Sequence, residues 1–122
     1  MKTRDFSGIR CNGRLPEPEN LTVAADVRDL LGDYFDSTIS LLEELERVTL
    51  EYESGTARNE NAAAIKRILH KLKGEAGIIG LDDVHELCHE AESAFEELGE
   101  NRRPDMLLRL KDWVYAAVQT LM

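Results

Sequence analysis

Cysteine occurs only twice in the 122 residues, at Cys11 and Cys88. Two lone thiols build no disulfide framework and suit a reducing compartment. No apolar run approaches the length needed to cross a bilayer, and the opening MKTRDFSGIRCNG is charged and glycine-containing where a signal peptide would be apolar. A cytoplasmic protein with no membrane partner is the expectation. Positive charge is scarce as well: 15 Lys and Arg against 24 Asp and Glu leave a formal net charge of -9. Such a chain repels nucleic acid and anionic lipid unless a patch reverses the sign locally, and Arg102 with Arg103 stands alone. Strand-like alternation and nucleotide-binding motifs are both missing. What remains is a single soluble domain, with room for one core but not for a core and an elaborate cleft.

Helical periodicity fills most of that domain. Residues 1 to 20 hold Gly8, Gly13, Pro16 and Pro18 with no apolar period, which predicts a flexible N-terminal leader. From Leu21 to about Tyr52 apolar residues recur at three and four, predicting one long helix that Gly32 bends or splits. A second helix is expected from about Asn61 through Ile79, and a third from Asp82 until Gly99 caps it. Pro104 opens a fourth, with Leu107, Leu110, Trp113, Val114, Ala117 and Leu121 inward. Four amphipathic helices on short connections predict an all-α, antiparallel four-helix bundle over residues 21 to 122.

The third helix contains HELCHE, His85 to Glu90, whose first five residues fit the H-E-x-x-H zinc signature. The context excludes that reading: no third ligand follows within the remaining turns, and the helical phase turns both histidines outward. No metal is expected, and His85 reads as a plain exposed residue. More informative is the spacing between helices. The apolar set Ile65, Ile68, Leu69, Leu72, Ala76 and Ile79 is repeated 19 residues later by Val84, Leu87, Cys88, Ala91, Phe95 and Leu98. His70 and His89 therefore lie about 140° from the start of their stripes, on an outward flank, while Lys73 and Glu92 lie about 80° round. If the chain reverses near Leu81, antiparallel positions pair when their numbers sum to roughly 162. That rule sets His70 opposite Glu92 and Lys73 opposite His89.

The chemistry of such a group is specific. A carboxylate at Glu92 that accepts a hydrogen bond from one ring nitrogen of His70 fixes the tautomer and leaves the other lone pair free for attack. Lys73, one turn along, is placed to steady phosphoryl oxygens as a point charge. Gly74 and Gly77 follow on the same outward side, each at a cost of roughly 1 kcal/mol against alanine in a helix. Bare backbone there lets a bulky partner enzyme reach the histidine.

The run LHKLKGEAGIIGL, Leu69 to Leu81, resembles the histidine phosphotransfer (HPt) motif H-x-x-K-G-x-A/S with a further glycine, matched at His70, Lys73, Gly74, Ala76 and Gly80. LCHEAE, Leu87 to Glu92, is similar to the L-T-H-x-x-E run of CheA-type phosphotransfer domains. The resemblance covers about residues 24 to 122. It implies His70 as phosphoacceptor, by analogy on Nε2, with Lys73, His89 and Glu92 as its supports and Lys66, Gly74 and Gly77 on the partner-docking surface. It further implies a phosphoryl carrier with no intrinsic cofactor and no ATP site of its own. The partners are then a histidine kinase catalytic domain, which supplies ATP and magnesium, and a response-regulator receiver domain. No kinase or coupling segment follows Met122, so the chain reads as an excised or a free-standing module. Two alternatives stay open: a relay HPt protein fed by a receiver aspartate, and a non-catalytic helical interaction module.

Overall fold

The computed structural model describes residues 5–11, 13–18 and 25–121. Four α-helices carry the fold: α1 Leu31–Glu53, α2 Arg58–Ile78, α3 Asp82–Glu97 and α4 Arg103–Gln119. Helix α1 packs between α2 and α4, and α3 closes the ring from the other side. The result is the expected all-helical bundle. Its interior takes Leu42, Leu45 and Val48 from α1, Ile65, Ile68, Leu69 and Leu72 from α2, Val84, Leu87, Cys88, Ala91 and Phe95 from α3, and Leu107, Leu110, Trp113 and Val114 from α4.

Two glycines end the first two helices. Gly55 (φ 88°) and Gly80 (φ 82°) both adopt the left-handed conformation. After α2 the Gly80 N–H donates to the Gly77 carbonyl and the Leu81 N–H to that of Ala76, the paired bonds of a Schellman motif. After α1 the same pattern runs from Gly55 to Tyr52 and from Thr56 to Glu51. Gly99 is different: α3 stops at Glu97, Leu98 is already extended (φ -80°, ψ 147°), and Gly99 has no positive φ. Gly99 follows the end of α3, as the sequence expects of a cap, but without the left-handed conformation of Gly55 and Gly80. Pro104 lies in the first turn of α4, where its missing N–H costs nothing.

The first helix starts later than its periodicity predicts. Ala25–Leu30 is wound as a 3-10 helix, and regular α-helix begins at Leu31, next to Gly32. Leu21 to Ala24, the predicted beginning of that helix, lie outside the described residues.

The described part of the leader makes contacts that its composition does not announce. Phe6 and Ile9 are both 1% exposed and join the core cluster. Phe6 meets Trp113 edge-on at 5.1 Å between ring centroids, and the Trp113 indole N–H donates to the Pro16 carbonyl at 2.6 Å. Arg10 reaches α3, with Nε 2.5 Å from Glu90 and a terminal nitrogen 2.7 Å from Glu97. The described part of residues 1 to 20 thus packs on the bundle. Phe6, Ile9 and Arg10 are among its anchors, and a count of Gly and Pro registers none of them.

Candidate functional site

Helices α2 and α3 meet in the register that the sum of 162 requires. Lys66 Nζ lies 2.7 Å from Glu96 Oε1, and His70 Nδ1 lies 3.5 Å from Glu92 Oε2. A third pair on the same sum is Gly77 with His85. The phase of α2 is set by Leu69 and Leu72, both buried, which turn His70 to the outside. Its side chain is 76% exposed.

Glu92 is the centre of the group. Its Oε1 is sealed from solvent and faces Lys73 Nζ at 2.6 Å, an ion pair rather than an aligned hydrogen bond. Its Oε2 faces His70 Nδ1 at a distance longer than a well-formed N–H···O bond. The carboxylate is therefore shared, held hard by the lysine and loosely by the imidazole. Because Nδ1 is the nitrogen turned toward Glu92, Nε2 is left on the other side of an open ring. Glu92 stands beside His70 as the sequence expects, but the two are in contact without an aligned hydrogen bond.

His89 does not join them. It is exposed on α3, and no hydrogen bond or ion pair ties it to Lys73 among the described residues. The lysine stem bends one turn along α3 to Glu92, whose opposite charge attracts it. Lys66 is on the same seam but already engaged, and its ammonium holds the Glu96 carboxyl below the usual carboxylate range.

Gly74 and Gly77 play different parts. A Cβ on Gly74 would meet no atom within 4 Å, so that surface is open to an approaching protein. A Cβ on Gly77 would sit 3.1 Å from Nδ1 of His85. His85, expected to be plainly exposed, is half-buried with Nδ1 3.0 Å from the Lys73 carbonyl. The register sum, applied to Gly77, would have marked it: a glycine opposite a ring is clearance.

Cys88 lies beneath this surface, fully buried, with its thiol pushed up to about 12 by burial and by the nearby Glu92 charge. It is packing, as its place in the apolar stripe predicts. No helix among the described residues is long and apolar enough to cross a membrane. As a chemical unit, the site offers an accessible imidazole backed by a carboxylate, with a cation one turn away. It lies on an open helix face.

Comparison with known proteins identifies the family. The family model of the Hpt domain matches residues 29–120. The chemotaxis protein CheA of Rhizobium meliloti (strain 1021) is 31% identical over 77 residues, which is 63% of this chain. The matched segment is 10% of that relative's length, so the chain corresponds to a small part of it. No solved structure matches significantly.

Proposed function

From the premise that the chain belongs to the Hpt domain family, and so is a histidine phosphotransfer module, we propose that it takes a phosphoryl group on Nε2 of His70 from a CheA-type kinase and passes it to an aspartate of a receiver domain. The observation that carries this reading is Glu92, set between the exposed His70 ring and Lys73. Attack by the Nε2 lone pair forms the N–P bond as the bond from the γ-phosphorus to ADP breaks. Positive charge then grows on the ring, and a carboxylate facing Nδ1 stabilises it and holds the reactive tautomer. Lys73 is placed to balance charge on the phosphoryl oxygens, at the expense of its contact with Glu92. Transfer onward breaks the N–P bond and forms an acyl phosphate on the receiver. ATP, magnesium and most transition-state stabilisation belong to the partners, because phosphoryl transfer is mainly positioning and electrostatics and this open surface provides little of either alone.

The test is labelling with a CheA kinase core and radiolabelled ATP. The protein should acquire an acid-labile, alkali-stable label that is absent from His70→Gln. Undiminished acid-labile label on His70→Gln would place the phosphoacceptor elsewhere. Incubation with a phosphorylated receiver in place of kinase and ATP separates the relay route: faster labelling there would make the receiver, not the kinase, the donor.

A further inference from the structure

Three rungs join α2 to α3 at one register: Lys66 to Glu96, His70 to Glu92, and Gly77 to His85. They are not equivalent. The first joins two long, exposed side chains, which hold position poorly because both ends rotate. The second is the 3.5 Å contact that needs positioning. The third alone ends on backbone. A carbonyl oxygen only accepts, so the 3.0 Å contact from His85 Nδ1 to the Lys73 oxygen requires the proton on Nδ1. The acceptor has no rotamers, and the donor ring sits where a Cβ on Gly77 would come within 3.1 Å of Nδ1. His85 and Glu92 are seven residues apart on α3 and so share a face, about two turns along the helix.

We propose that His85 is a positioning residue for phosphoryl transfer at His70. By tying α3 to the Lys73 carbonyl it fixes the axial height and rotation of α3 against α2, and with them the placement of Glu92 between His70 and Lys73. The inference rests on the phosphotransfer reading and adds to it a residue that touches neither the reacting ring nor the phosphoryl group. Gly77 belongs to the same device. Its cost in helix stability is the condition for the ring's approach, not only for a partner's.

The experiment compares His85→Leu, which loses the donor, with His85→Asn, whose side-chain amide nitrogen occupies the place of Nδ1, in wild-type and Glu92→Ala backgrounds. Labelling by the kinase core is measured where circular dichroism shows each variant folded. His85→Leu should slow labelling about tenfold, as loss of an orienting partner does, while His85→Asn stays within about twofold. In the Glu92→Ala background His85→Leu should cost less than about twofold more, because residues acting through one another are not additive. Wild-type rates for His85→Leu, equal losses for Leu and Asn, or a full additional loss without Glu92 would each overturn the proposal. Ring-nitrogen NMR shifts of His70 give a readout that needs no kinase: they should move in His85→Leu and Gly77→Ala but not in His85→Asn. If the wild type takes no label, the phosphotransfer reading fails while these shifts still decide whether His85 positions the ring's surroundings.

Discussion

Cys88 and Tyr34 are acids that the bundle keeps neutral. Burial pushes each up to about 12, against ordinary values of 9.0 and 10.0. A raised acid in the folded state means that the unfolded chain releases its proton first as pH rises. The stability tied to these groups is complete below about pH 9 and drains away between there and about pH 12. Urea midpoints should be flat from neutral pH to about 8 and decline above 9, with a shallower decline in Cys88→Ala and Tyr34→Phe. The same burial predicts thiol chemistry. Iodoacetamide should modify exposed Cys11 in the native protein and reach Cys88 only after unfolding; two modified thiols in the native state would contradict the packing.

At the scale of elements, the start of α4 is tied to the ends of α1 and α3 by Arg103. From the start of α4 it donates to the Phe95 carbonyl of α3 at 2.7 Å and to the Tyr52 hydroxyl of α1 at 3.0 Å. Its guanidinium also covers the Phe95 ring at 4.2 Å. Three helices depend on one planar, forked group. Arg103→Ala should lower unfolding free energy by about 2 kcal/mol, with little recovery in Arg103→Lys, because an ammonium cannot reproduce the fork or the stacking. Urea titration of the two variants checks both statements. Asn61 does a smaller version of this at the α1–α2 turn, donating to the Thr56 carbonyl at 2.8 Å.

For the whole molecule, the N-terminal segment counts as part of the core. Phe6 is buried against Trp113, and Arg10 ties the segment to α3. Phe6→Ala removes a buried aromatic and leaves a void that helices braced on three other sides cannot fill, so it should cost about 3 kcal/mol. Trp113 gives the measurement directly. Its fluorescence should shift to longer wavelength in the native variant as its edge gains water, and the urea midpoint should fall. An unchanged midpoint would mean that the segment rests on the bundle without supporting it.

Much of this was readable in the chain. Apolar spacing at three and four determined the helices and their inward faces, from Ile65 to Ala76 and from Val84 to Phe95, because helical pitch is a local property. The same periodicity, with a reversal near Leu81, placed His70 across from Glu92. The tertiary structure alone decided how side chains divide their contacts once they meet. Lys73 prefers the Glu92 carboxylate to the His89 ring, His85 finds a carbonyl and a glycine on the facing helix, and Phe6 crosses the chain to Trp113. Those outcomes compare competing partners in space, carboxylate against imidazole and buried against exposed, and a linear pattern holds no term for the competition.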